Sequence, residues 1–82
     1  MRVQEFLGQA VTIALDEGAK EVCTKMDKGG IGYIELTFGT RWGVFYRAQE
    51  QLDAMTPERT FQLLRNWIAS RKREEEDMNA TK

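Results

Sequence analysis

The sequence predicts a small α+β domain in which three antiparallel strands form one sheet and two helices cover one of its faces. Apolar residues recur at helical spacing near both ends of the chain, and three short alternating runs separated by glycines lie between them. The chain has 82 residues, enough for one domain, which we expect over residues 1–75. We expect residues 76–82 to be a disordered polar tail.

The first helix is predicted over residues 2–17, because six apolar residues recur on one of its faces and Ile13 and Leu15 widen that face. The six are Val3, Phe6, Leu7, Ala10, Val11 and Ala14. Gly18 is expected to end the helix, since glycine enters the left-handed region without a steric penalty.

Three strands are predicted next, over residues 22–26, 31–38 and 41–48, with a turn at residues 27–30. The order of elements is therefore α-β-β-β-α once the second helix is included.

The Gly39-Thr40 pair suits a two-residue type II′ hairpin turn, which fixes a register. Ile34 would then oppose Phe45 on one face, and Tyr33 would oppose Tyr46 on the other. A loop one residue longer would exchange the two faces of the third strand, so every face assignment there depends on this turn.

The second helix is predicted to begin at Thr56-Pro57-Glu58, where threonine caps and proline fits the first helical position. It is expected to run to about residue 75, with Phe61, Leu64 and Ile68 facing inward. Residues 49–55 are interpreted as a polar connector anchored by Leu52 and Met55.

Composition argues against several function classes. Twelve basic residues oppose thirteen acidic ones, so binding driven mainly by phosphate neutralisation is not favoured. The chain has no histidine and one cysteine, Cys23, which removes the usual general base, the usual metal ligand and the internal disulfide. We expect a half-buried structural Cys23, no cofactor, no metal ion and no enzymatic activity.

No apolar run is long enough for a signal peptide or a membrane span. We therefore expect a cytoplasmic protein that does not insert into a membrane.

The candidate partner-binding residues are Tyr33, Trp42 and Tyr46, flanked by Arg41 and Arg47. In the predicted register the three aromatic residues share the sheet face that the helices leave open. Aromatic side chains with a polar group are frequent at interfaces. The alternative is that the connector and the second helix cover this face.

The charge run Arg71–Asp77 is interpreted as a solvated helix end. The alternative is nucleic-acid binding through four sets of basic residues, which steep salt dependence would reveal. These are Arg41, Arg47, Arg65 and Arg71–Arg73. The α-β-β-β-α order resembles the double-stranded RNA-binding domain, but the lysines of that family are absent from Thr56–Arg59.

Residues 6–69 also resemble the small N-terminal domain of type IV pilus and type II secretion ATPases. Gly18–Cys23 stands where that family reads Gly-Ala-Ser-Asp-Ile-His, and Val44–Arg47, Leu52 and Thr56–Glu58 match its later motifs. The family's Ser-Asp and His positions, its Asp-Gly and the nucleotide-binding domain are missing. The resemblance implies a module that packs against protein subunits, without ATPase activity.

The sequence thus predicts a small bacterial, phage or plasmid protein that acts stoichiometrically on a protein target, as an inhibitor, adaptor or regulator. An anti-defence protein is one such class. The sequence leaves the target, the source and any homo-oligomeric state open.

Overall fold

The computed structural model describes residues 1–80 and the side chains of residues 1–77. It consists of α1 (Val3–Asp16), β1 (Glu21–Met26), β2 (Gly32–Thr37), β3 (Trp42–Arg47), α2 (Gln49–Asp53) and α3 (Pro57–Ala80). β2 lies between β1 and β3 and pairs with both in antiparallel orientation. The predicted α+β class and the three-stranded antiparallel sheet are confirmed.

Helix α1 ends as the sequence predicts, at a left-handed glycine. Gly18 has φ of 95°, its N–H donates to the Leu15 carbonyl and the Ala19 N–H donates to the Ala14 carbonyl, both at 3.0 Å. These two bonds form a Schellman motif, which satisfies carbonyls that the helix end would leave unpaired. Leu15 itself is exposed, so the predicted apolar face is narrower than expected.

The segment interpreted as a polar connector contains a short helix, α2. The side chain of Gln51 accepts a hydrogen bond from the Ala48 N–H at 2.9 Å, which helps to start it. Gln49 joins α2 to the start of α1: its Oε1 accepts from the Val3 N–H at 3.2 Å and its Nε2 donates to the Met1 carbonyl at 2.8 Å. Leu52 is buried, as predicted.

The hairpin register between β2 and β3 is confirmed, with Ile34 opposite Phe45 and Tyr33 opposite Tyr46. The predicted type II′ turn is wrong. Within residues 1–80, Gly18 and Gly30 are the glycines with positive φ, and Gly39 is not among them. Instead, the Thr37 hydroxyl donates to the Gly39 carbonyl at 2.7 Å and accepts from the Gly39 N–H at 3.1 Å. This side-chain bond holds the turn without left-handed backbone.

Both long helices pack on the same face of the sheet, which we call the inner face. α1 contacts β1 and β2, α3 contacts β3, and the two helices contact each other. The core between them is formed by thirteen buried apolar residues. They are Val3, Phe6, Leu7, Ala10, Ala14, Ala19, Ile34, Leu36, Phe45, Leu52, Phe61, Leu64 and Ile68.

Two glycines allow the helices to approach the sheet closely. A Cβ at Gly32 would lie 2.5 Å from Val3 Cγ1 on α1, and one at Gly43 would lie 2.6 Å from Arg71 Nε on α3. A larger residue at either position would have to displace these side chains, which pack between the helices and the sheet.

Helix α3 begins as predicted, since the Thr56 hydroxyl accepts a hydrogen bond from the Arg59 N–H at 3.2 Å. It continues to Ala80, beyond the predicted end near residue 75. Residues 76–80 are thus helical, and the part of the predicted tail at residues 81–82 lies outside the described residues.

The charge run on α3 is more than a solvated helix end. Glu75 is only 8% exposed and bonds the β2–β3 turn, and Lys72 Nζ donates to the Glu17 carbonyl at 3.3 Å. These contacts tie the second half of α3 to the rest of the domain.

Candidate partner-binding surface

The face of the sheet opposite the helices, which we call the outer face, is formed by three side chains from each strand. The strand registers align them in rows across the sheet. The rows are Glu21, Thr37 and Trp42; then Cys23, Glu35 and Val44; then Lys25, Tyr33 and Tyr46.

Apolar exposure on the outer face is concentrated on β3. Trp42, Val44 and Tyr46 expose 47%, 46% and 54% of their surface. We call these three residues the β3 stripe. Val44 was not among the residues predicted from sequence, although the alternation of β3 places it between the two aromatic residues. Burying such a stripe removes apolar area from water, which favours association.

Tyr33 lies beside the stripe and is held in place. It is half-buried, and its ring centroid lies 6.0 Å from that of Tyr46. Its hydroxyl donates to Asp27 Oδ2 at 3.1 Å. This hydrogen bond raises the pKa of the Tyr33 phenol. Tyr33 therefore supports the stripe at its β2 side and presents less free surface than the stripe itself.

Asp27, which binds the Tyr33 hydroxyl, also forms the hydrogen bonds that stabilise the β1–β2 turn. Its Oδ1 accepts from the Ile31 N–H at 2.9 Å, and this hydrogen bond, followed by that from Tyr33, lowers the pKa of the carboxyl. The Gly30 N–H donates to the Asp27 carbonyl at 3.1 Å, and Gly30 has φ of 83°. A left-handed glycine after such a turn is typical of a three-residue hairpin with a bulge.

The β1 side of the outer face is polar and charged. Lys25 Nζ lies 2.9 Å from Glu35 Oε1, and this contact raises the pKa of the lysine. Cys23 is exposed, so the expected half-buried cysteine is wrong. The reason is that β1 is an edge strand and Cys23 points to the face that no helix covers. The outer face is thus divided into a charged half on β1 and an apolar stripe on β3.

Arg41 lies at the β2–β3 turn, next to the stripe, and is exposed. Its backbone N–H donates to Glu75 Oε1 at 3.1 Å. Its side chain lines a shallow cleft of about 220 Å³, together with Arg71, Glu74 and two further acidic residues of α3. The mixed charges of this cleft define no anion or cation site.

The predicted site grouped Arg47 with the aromatic residues of the outer face, but Arg47 does not lie on that face. Strand alternation places it on the inner face, where its guanidinium carbon lies 4.4 Å from the centroid of the Phe45 ring. Its Nη1 donates to the Tyr46 carbonyl at 3.0 Å. Arg47 therefore lies at the end of β3, and its guanidinium reaches the Tyr46 carbonyl on the side of the strand that faces away from β2.

The backbone of the stripe faces the free edge of the sheet. The Asp27 N–H donates to the Ile31 carbonyl at 3.0 Å, so these residues form a hydrogen-bonded pair of the β1–β2 ladder. Such pairs alternate in antiparallel sheets, so Ile34 bonds to β3 and the N–H and C=O groups of the β3 stripe point away from β2. The contact between Arg47 and the Tyr46 carbonyl agrees with this direction.

The basic residues considered for nucleic-acid binding do not form one patch. Arg71 pairs with Glu74 at 2.9 Å, Lys72 reaches the end of α1, Arg47 stacks on the inner face, and Arg41 lies beside acidic side chains of α3. A phosphate backbone would meet carboxylates next to Arg41 and Arg71.

Within residues 1–80, no helix is long and apolar enough to cross a membrane. The same part of the chain contains no group of three or more Asp, Glu or Cys side chains arranged to hold a metal ion. No family model matches the chain, and neither a curated protein nor a solved structure matches it.

Proposed function

We propose that this protein is a non-catalytic binding module that recognises another protein through the β3 stripe. The observation that carries the proposal is the exposure of Trp42, Val44 and Tyr46 side by side on the uncovered face of the sheet. An 82-residue domain has little apolar surface to spare, so three adjacent exposed apolar side chains suit an interface. Trp and Tyr are the residue types that most often dominate interface energies.

The surroundings of the stripe favour a protein over a nucleic acid. Single-stranded nucleic acids also stack on aromatic side chains, but they need a positively charged groove along the backbone path. Here the outer face carries Glu21, Glu35 and Lys25, with Asp27 at its rim, and the lysine is already paired with Glu35. A phosphate backbone gains nothing from such a face, whereas a polar rim around an apolar centre is usual in protein interfaces.

Such a module would act by stoichiometric binding to its target, as an inhibitor, adaptor or regulator in the cytoplasm of a bacterial or phage-infected cell. The exposed thiol of Cys23 suits a reducing compartment. Subunit packing, the role implied by the resemblance to secretion ATPase N-terminal domains, belongs to the same class of activity.

The proposal is tested by affinity capture with paired variants. The wild-type chain and the Trp42→Ala and Tyr46→Ala variants are immobilised and exposed to the same bacterial lysate, and Leu15→Ala serves as the control. Leu15 is equally exposed but lies on α1, away from the sheet's outer face. We expect a protein that is retained by the wild type and by Leu15→Ala and is lost from both stripe variants.

The captured protein is then purified and titrated by calorimetry, where each stripe variant should bind with Kd raised about thirtyfold or more. Equal retention by all four chains, or a salt-sensitive nucleic acid as the retained species, would contradict the proposal.

A further inference from the structure

We propose that the partner contributes an extended segment that pairs with the free edge of β3, and that this segment carries acidic residues near both ends. This inference rests on the proposed function, since it specifies how a protein partner would meet the β3 stripe. It follows from the position of the stripe, the state of the strand edge and the location of two arginines.

The stripe lies along an edge and not across the face. The three exposed apolar side chains all belong to β3, while β1 contributes Glu21, Cys23 and Lys25 to the same face. A partner packed flat on the outer face would have to desolvate the Lys25–Glu35 pair, at a cost that such pairs rarely repay. A partner beside β3 covers the stripe and leaves this pair in water.

The same edge offers unpaired backbone groups. The N–H and C=O groups of Trp42, Val44 and Tyr46 point away from β2, and of these the Tyr46 carbonyl already accepts a hydrogen bond from Arg47 Nη1. β3 contains no proline and no lysine to block pairing. An added strand would satisfy these groups and would place alternate side chains against the stripe. Main-chain hydrogen bonds then supply affinity and the stripe supplies selectivity.

The opposite edge of the sheet is less suited to pairing. β1 carries two charged residues, Glu21 and Lys25, and Thr24 beside Lys25 is also exposed. Charged side chains on an edge strand discourage edge-to-edge association. The contrast between the two edges directs the added strand to β3.

Two cations bracket the open edge. Arg41 precedes β3 and Arg47 is its last residue. Among residues 1–77 neither guanidinium forms a salt bridge with a carboxylate. Arg41 is exposed beside acidic side chains of α3, and Arg47 is half-buried with its Nη1 donating to the Tyr46 carbonyl. A guanidinium has five N–H donors, so each of these two arginines keeps some of them for a carboxylate, which it can bind through two parallel hydrogen bonds.

This charge arrangement favours a different protein over a second copy of the chain. A two-fold antiparallel pairing centred on Val44 aligns the two β3 strands over their full length. It would place Arg41 directly opposite Arg47 of the second copy, and like charges opposite each other destabilise a strand pair. A segment with Asp or Glu at these positions meets the two arginines with complementary charge. We therefore expect about six residues in extended form, with β-branched or aromatic side chains at alternate positions and an acid at each end.

The experiment begins with a library of random twelve-residue peptides selected on the immobilised wild-type protein. We expect the selected sequences to alternate apolar residues and to contain acids flanking that stretch. The best sequence is synthesised and its affinity measured by fluorescence anisotropy. Arg41→Glu and Arg47→Glu should each raise Kd about tenfold or more, while Arg65→Glu, on the exposed part of α3, serves as the charge control.

The strand pairing is tested separately by chemical synthesis of the chain with an ester in place of the amide at Val44. This change removes one edge N–H donor and keeps the side chain. We expect Kd to rise about threefold to tenfold, the loss of one hydrogen bond. The matched control is an ester at Phe45, whose N–H points to β2, and it should lower folding stability while leaving the Kd of the folded protein within about twofold.

The outcomes separate the two proposals. Peptide binding that is lost in Trp42→Ala but unchanged by the Val44 ester would overturn strand addition and leave the protein-binding function standing. Selected peptides without flanking acids would overturn the charge part. A dimer seen by sedimentation at micromolar concentration, and weakened by the Val44 ester, would show that the occupant of the edge is a second copy.

Discussion

The carboxylate of Glu75 accepts a hydrogen bond from the backbone N–H of Arg41 at 3.1 Å, joining two residues 34 positions apart in the chain. A Cβ on Gly39 would lie 2.6 Å from Glu75 Oε2, so the turn approaches α3 as closely as a glycine allows. The second half of α3 therefore fixes the β2–β3 turn, and with it the position of the β3 stripe.

We predict that Glu75→Ala destabilises the fold by about 1.5–3 kcal/mol, the range for hydrogen bonds that involve a charged group. The control is Glu76→Ala, at an exposed neighbouring position of the same helix. Urea denaturation of both variants measures the free energy of unfolding. Equal stability of the two variants would show that the Glu75 contact contributes nothing. Removal of residues 70–82, which should cost little stability if the charge run were only a solvated helix end, should destabilise the fold at least as much as Glu75→Ala.

Close packing of α1 on the sheet predicts opposite effects of two glycine substitutions. Gly32→Ala places a methyl group 2.5 Å from Val3 Cγ1 and should cost about 1–3 kcal/mol. Gly8→Ala, at a helical position where the new methyl meets nothing within 4 Å beyond its chain neighbours and the nearby backbone of its own helix, should stabilise by about 0.5–1 kcal/mol. Thermal melting of the two variants against the parent distinguishes them. A stabilised Gly32→Ala would mean that α1 lies farther from β2 than the structure has it.

Local signals in the sequence predicted much of the fold. Gly18 and Thr56 act within one turn of a helix, so their roles follow from residue type alone. The β2–β3 register followed from the length of the turn, even though its backbone conformation differs from the predicted one. Helix α2 was missed because five residues are too few to show helical periodicity.

The candidate site was predicted only in part, for two different reasons. Strand alternation places Val44 on the outer face, but sequence reasoning did not count Val44 among the binding residues. Alternation also places Arg47 on the inner face, and sequence reasoning did not apply it to that residue. The hydrogen bond from the Arg41 N–H to Glu75 could not be predicted from the sequence, because it is a tertiary contact that no local pattern encodes. Sequence alone also could not show that Tyr33 would be held by Asp27, since that bond requires the turn geometry.

The Asp27–Tyr33 hydrogen bond predicts a pH dependence on both sides of neutrality. The folded pKa of Asp27 lies below its usual 3.8, chiefly through the Ile31 N–H, so its contribution is present above pH 3.8 and is lost as pH falls through the folded value. The folded pKa of Tyr33 lies above its usual 10.0, so its contribution is present below pH 10 and is lost as pH rises through the folded value.

These two pKa values can be measured by NMR titration of the Asp27 carboxyl carbon and the Tyr33 ring. In Asp27→Asn the Tyr33 pKa should move back toward 10.0, because the carboxylate that raises it is gone. In Tyr33→Phe the Asp27 pKa should rise but stay below 3.8, because its largest cause, the Ile31 N–H, remains. An Asp27 pKa at or above 3.8 in the parent protein would contradict the turn geometry.

The final prediction separates the two faces of β3 by stability. Trp42 and Phe45 lie three positions apart on one strand, but Trp42 points to the open outer face. The Phe45 ring lies in the core, with its centroid 5.4 Å from that of Trp67 and 6.2 Å from that of Phe6. Phe45→Ala should therefore destabilise by about 3–5 kcal/mol, as other large core truncations do. Trp42→Ala should cost less than about 1 kcal/mol, because nearly half of the Trp42 surface is already exposed in the folded protein. Tyr33→Ala should fall between them, since it loses a hydrogen bond and partial packing. Urea denaturation of the three variants gives the order directly. If Trp42→Ala proves as damaging as Phe45→Ala, Trp42 is a core residue, and the β3 stripe is not available to a partner.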